Sequence, residues 1–142
     1  MLKEIYEQPE AVRQTIDACV NSTGQICLPA SRVTDDDVRN LRKIEIAASG
    51  TSRHAGLAGE FMLERMTGIP VEVDFASQYC YRDPIVEARE LAVFISQSGT
   101  TVDTVAALHI ARSYQASALL TPGHLACSNW TLWLSRPPAV TR

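Results

Sequence analysis

Leu91-Ala-Val-Phe-Ile-Ser-Gln-Ser-Gly-Thr-Thr101 is an unbroken apolar run that ends abruptly in small and polar residues. Five apolar residues without alternation suit a strand buried on both faces of a parallel sheet. The segment beyond Thr101 places Val102, Val105, Ala106, Leu108 and Ile110 in a helical pattern, so a strand is predicted to run through Ser96-Gln97-Ser98-Gly99-Thr100-Thr101 into a helix. A helix start presents unpaired backbone N–H groups and the positive end of the dipole, and hydroxyls add short neutral donors. An anion such as a phosphate fits that environment. The same Ser and Thr residues equally suit a plain helix cap, and composition leaves both readings open.

Working outward, the arrangement occurs a second time. Ile44-Glu-Ile-Ala-Ala48 reads as a strand, Ser49-Gly-Thr-Ser52 as a polar turn, and Ala55, Ala58, Met62 and Met66 as one face of a helix ended by Gly68 and Pro70. In an open parallel sheet both loops lie at the carboxyl edge, where ligands bind. Neither loop continues into Gly-Lys-Ser/Thr, and neither has the Gly-x-Gly-x-x-Gly spacing of dinucleotide sites. With no Lys or Arg inside either loop, the favoured ligand is one held by neutral hydroxyls and amides, such as a monophosphorylated sugar.

Four segments together resemble one family. Ala48-Ser-Gly-Thr-Ser-Arg-His-Ala-Gly56, Ile69-Pro-Val-Glu-Val-Asp-Phe-Ala-Ser77, the pair Tyr81-Arg82, and Ile95-Ser-Gln-Ser-Gly-Thr-Thr-Val-Asp-Thr104 are similar to the first sugar isomerase (SIS) domain of the glutamine–fructose-6-phosphate aminotransferases (isomerizing). The opening Met1-Leu-Lys-Glu-Ile-Tyr-Glu-Gln-Pro9 resembles the helix that begins the isomerase half of those enzymes, and the likeness covers roughly residues 1 to 117. The resemblance implies an α/β fold, a three-layer α/β/α sandwich with a parallel sheet, flavodoxin-like and truncated. It also implies binding of a hexose 6-phosphate, either fructose 6-phosphate or glucosamine 6-phosphate, within amino sugar metabolism. Carried over by position, the first loop points to Ser49, Gly50, Thr51 and Ser52, with Ser49 where the family usually has a cysteine. The second points to Ser96, Gln97, Ser98 and Thr101, with Thr100 in place of a usual glutamate. Ser49 keeps a hydroxyl able to donate a hydrogen bond, whereas Thr100 removes a charge beside the loop.

The family's glutaminase domain and second sugar isomerase domain, with its acid, base and lysine groups, have no counterpart in this sequence. The expectation is therefore a truncated sugar isomerase domain with no catalytic residue of its own, no cofactor and no metal. Three segments are expected: an N-terminal helix and linker at 1–34, a partial domain at 35–118, and a divergent tail at 119–142 that holds Trp130, Trp133 and Pro137-Pro138. Three readings compete: a sugar-phosphate-binding descendant of the aminotransferase, a non-catalytic sensor module, and a non-functional gene remnant. Motif order favours descent from the aminotransferase. Cutting a parallel sheet short exposes apolar surface and an open edge, which points to association of copies into a homo-oligomer.

Composition sets the outer bounds. The chain has 142 residues, 46% of them apolar, enough for one core. A net charge of -3 offers no electrostatic footprint for nucleic acid. No apolar run is long enough to span a bilayer, and the charged start lacks a signal-peptide pattern, so a cytoplasmic location without membrane partners is expected. Cys19, Cys27, Cys80 and Cys127 lack the spacing of a zinc site and read as free thiols. His54 falls near the first loop, while His109 and His124 carry no role. Asp35-Asp36-Asp37 suits a solvated helix start better than a calcium loop. Leu2 to Val20 forms an amphipathic helix, with Ile5, Val12, Ile16 and Cys19 as its expected buried face.

Overall fold

The computed structural model describes residues 2–26, 35–86, 89–114 and 117–122. The order is α1 (Leu2–Cys19), α2 (Asp35–Arg39), β1 (Lys43–Ala48), α3 (Thr51–Thr67), β2 (Val71–Phe75), α4 (Ala76–Tyr81), β3 (Glu90–Ser96), α5 (Val102–Ser113) and β4 (Ser117–Pro122). The four strands form one parallel sheet in the order β2-β1-β3-β4. Ala48 pairs with both Phe75 and Ile95, and Ser96 pairs with Pro122, so the strands end nearly level at one edge. This is the α/β architecture expected. The expected tail at 119–142 begins within β4, and residues 123–142 lie outside the described residues, as do Cys27, Cys127 and His124.

Strand pleating sends alternate side chains to opposite faces. On one face Ala47, Ala92, Phe94 and Ala118 pack with Ala76 and Tyr79 of α4 and with Ala107, Leu108 and Ala111 of α5. On the other, Ile44, Ile46 and Val71 are buried together with partly covered Leu63, Ile69, Val73, Val93 and Ile95. The first face is the better sealed, because two helices share it. In β3, Ala92, Phe94 and Ser96 are buried on that side, while Leu91, Val93 and Ile95 on the α3 side are half-buried.

Two expected helix faces, those of α3 and α1, are corrected. Met62 and Met66 of α3 are 63% and 80% exposed, and Ala55 and Ala58 are exposed with them. The face against the sheet is built around Gly56, where an added Cβ would lie 3.1 Å from Ile46 Cγ2 and 3.2 Å from Val73 Cγ1. Here close approach of the backbone, rather than a bulky stripe, selects the buried side. In α5 the expected helix forms, with Leu108 buried and Ile110 packed against the core; Val102 is exposed, and the small residues Thr104, Ala107 and Ala111 complete the buried face. In α1, Ile5, Val12 and Ile16 are exposed and Cys19 is half-buried. An amphipathic pattern marks the side able to be buried, and among the described residues nothing covers it. No helix among the described residues is long and apolar enough to cross a membrane.

Candidate functional site

Because β1 and β3 are neighbours with Ala48 opposite Ile95, the segments that follow them emerge side by side. Ser49-Gly50 leads into α3, and Ser96 through Thr101 leads into α5. The eight residues singled out from sequence, Ser49, Gly50, Thr51, Ser52, Ser96, Gln97, Ser98 and Thr101, thus meet at the carboxyl edge of the sheet. Ser96 is buried, Ser49, Ser52 and Thr101 are half-buried, and Gly50, Thr51, Gln97 and Ser98 are open to solvent. His54 is exposed in the first turn of α3.

The hydrogen bonds of the second loop are internal to it. The buried Ser96 Oγ accepts the N–H of Gly99 at 3.0 Å and lies 2.9 Å from Thr101 Oγ1. Ser98 Oγ accepts the Thr100 N–H at 3.2 Å and lies 3.0 Å from Thr100 Oγ1. Gly99 has φ +72°, a left-handed conformation that glycine adopts without a Cβ penalty. Thr101 stands at the N-cap of α5 but makes no side-chain cap hydrogen bond, because its hydroxyl is turned to Ser96. At α3 the N-cap is Gly50, which has no side chain with which to cap. Plain capping therefore does not account for these Ser and Thr residues, and both helices present their first N–H groups without a side-chain acceptor.

The nearest cation in sequence points elsewhere. The guanidinium of Arg53, in the first turn of α3, stacks over the Phe75 ring with 4.1 Å between its carbon and the ring centroid. The two loops thus offer hydroxyls, amides and two helix dipoles.

A second polar cluster lies on the α4/α5 face of the sheet, and sequence reasoning gave it no role. Glu45 is 1% and Glu90 2% exposed on adjacent strands, and their carboxyl groups interact. Arg82, just past α4, pairs with Glu45 and with Asp74. Lys43 Nζ lies 2.9 Å from Glu72 and 3.8 Å from Glu45. Burial and the adjoining Glu90 push the Glu45 carboxyl up to about 7, against the pull of Arg82 and Lys43. Burial opposes the Lys43 charge, but Glu72, Glu45 and Glu90 together hold its ammonium above the ordinary value. Burial, reinforced by Glu45 and Glu90, raises the Tyr79 hydroxyl. The available signal was an acid in the middle of a buried strand, with Tyr81-Arg82 noticed only as a motif. A groove of about 500 Å³ opens beside this cluster, lined by Asp74, Ser77, Gln78, Tyr81 and Arg82.

Comparison with known proteins places this geometry. The SIS domain family matches residues 37–120, and the chain belongs to that family. Among curated proteins, it is 49% identical over 120 residues to glutamine–fructose-6-phosphate aminotransferase [isomerizing] of Symbiobacterium thermophilum, covering 84% of this chain and 20% of the relative. It is 45% identical over 119 residues to the protein of that name from Clostridium acetobutylicum, with the same coverage. The chain therefore spans about a fifth of the length of these relatives. Among solved structures, the C-terminal domain of glucosamine-fructose-6-phosphate aminotransferase from Francisella tularensis superposes with a TM-score of 0.75 at 33% identity, covering 98% of this chain and 40% of that one. Tagatose-6-phosphate ketose/aldose isomerase from Escherichia coli shares the fold, with a TM-score of 0.65 at 22% identity over 96% of this chain and 40% of that one.

Proposed function

We propose that the chain binds a hexose 6-phosphate at the paired loops, with fructose 6-phosphate favoured over glucosamine 6-phosphate. The observation that carries this is the start of α5, where Thr101 turns its hydroxyl into the loop and leaves the first amides of the helix for a ligand. A phosphate seated there accepts from those amides and from Ser98, while Ser96 and its bond to Thr101 hold the loop in shape. Ser49, Gly50, Thr51 and Ser52 contact the sugar from the neighbouring strand end, and Gln97 reaches it from the second loop. Two relatives carry a hexose 6-phosphate in their names, fructose 6-phosphate in the aminotransferases and tagatose 6-phosphate in the structural neighbour, which supports that ligand class.

Titration calorimetry or ligand-observed NMR with fructose 6-phosphate and with fructose tests the proposal. A response to the phosphorylated sugar that free fructose does not reproduce is expected. Equal responses to the two would sink the phosphate assignment.

A further inference from the structure

We infer that Arg82 is a positioning residue for the phosphate loop, acting through α4 and never touching the ligand. The inference rests on the site proposed above. Helix α4 is only six residues long, too short to persist without tertiary support, and its N-cap Phe75 supplies no side-chain acceptor. Two anchors hold it. Tyr79 inserts into the core, its ring edge-on to Phe94 with centroids 5.6 Å apart. Arg82 forks across two strands, one nitrogen on Glu45 of β1 and the other on Asp74 of β2, with its guanidinium carbon 5.9 Å from the Tyr79 ring centroid. A planar guanidinium matches two carboxylates in a fixed orientation that an ammonium does not reproduce.

From this anchored helix the path to the loop is short. The Cys80 thiol lies 3.6 Å from the carbonyl oxygen of Asp103, in the first turn of α5. Ala76 and Tyr79 share one core with Ala107, Leu108 and Ala111 of the same helix. The start of α5 is therefore walled on one side by α4, and α4 is set by the Arg82 fork. Helix amides act on an anion only when they are held within a fraction of an ångström of the productive geometry. Loosening α4 lets that start drift.

The experiment compares the wild-type chain with Arg82→Met and Arg82→Lys by hydrogen exchange without ligand and by fructose 6-phosphate titration. In Arg82→Met, amides of residues 99–106 are expected to exchange faster while those of α3 stay unchanged. Affinity should fall roughly 5–10-fold, the low end of coupling between separate sites. Arg82→Lys, which keeps one charge, should recover part of both effects. Faster exchange throughout the chain in Arg82→Met would mark a merely structural role and overturn the inference, as would unchanged exchange at 99–106. If wild type fails to bind the sugar phosphate yet exchange at 99–106 still responds to Arg82, the proposed ligand falls and the mechanical link stands. Cys80→Ala provides a variant that leaves the ion pairs in place, and it should raise exchange at 103–106 alone.

Discussion

Replacing Glu45 by Gln is expected to remove most of the fall in stability that the wild-type chain shows as pH rises through neutrality. The carboxyl is buried beside Glu90 and titrates near 7 in the folded chain against an ordinary 4.5. Folding therefore favours the protonated acid. Its stabilising contribution is fully present below about 4.5 and is lost as pH climbs through about 7. At about 1.36 kcal/mol per pH unit, the interval from 4.5 to about 7 corresponds to roughly 3 kcal/mol. A loss of that size lowers the melting temperature by on the order of 10 °C in a chain of this length. Thermal or urea unfolding of both proteins at intervals between pH 4.5 and 8 provides the test. Glu45→Gln keeps the shape but cannot ionise, so its curve should be flatter than that of wild type, although it starts lower through loss of the Arg82 pair. Wild-type stability that is constant or rises over this range would refute the burial argument, and an equally steep fall in Glu45→Gln would assign the effect to another group.

Other substitutions separate packing, backbone and site. Tyr79 buries a hydroxyl that has no hydrogen-bond partner among the described residues, so Tyr79→Phe should change unfolding free energy by less than about 1 kcal/mol, whereas Tyr79→Ala should cost about 3–5 kcal/mol. Gly56→Ala forces a methyl against Ile46 and Val73 and should lower stability by about 1–3 kcal/mol in a chemical denaturation series. Ser98→Ala should weaken fructose 6-phosphate binding by about 1–2 kcal/mol, read as the dissociation constant by calorimetry, and an unchanged constant would remove Ser98 from the contact set.

Element order was legible because the signals were local. Apolar runs of five, a Gly68-Ile69-Pro70 stop, and Ser/Thr/Gly loops each report on their own segment. Helix orientation was not, because periodicity looks for large side chains, and here Gly56, Thr104, Ala107 and Ala111 face the sheet while Met62 and Met66 face water. Small residues let a helix sit close, and hydrophobicity alone does not rank them highly. The two loops were visible as candidate ligand sites, but whether Thr101 caps its helix is settled by a side-chain rotamer, and no composition encodes that. The buried charges were harder still. Arg82 and Glu45 are 37 positions apart and become partners only once β1, β2 and α4 are assembled.

Placement of charge in this fold follows from what each region has to do. A phosphate held by amides and hydroxyls gains from helix dipoles that act over a single turn, and fixed negative charge close to the loop, as at Asp103 in the first turn of α5, offsets part of the gain. The cluster behind α4 contains four acids, Glu45, Glu72, Asp74 and Glu90, against the two cations Lys43 and Arg82. Left fully ionised, it would be a net negative centre inside the same small sheet. Three of the acids are instead offset locally: Glu72 by Lys43, Asp74 by Arg82, and Glu45 by a proton that burial makes easy to retain near neutrality. The Arg82 that offsets part of this charge also fixes α4 beside the first turn of α5, so a share of the interior charge balance and the aiming of the loop amides fall to one side chain. A substitution that spares the charge but loses the fork, Arg82→Lys, separates those two tasks.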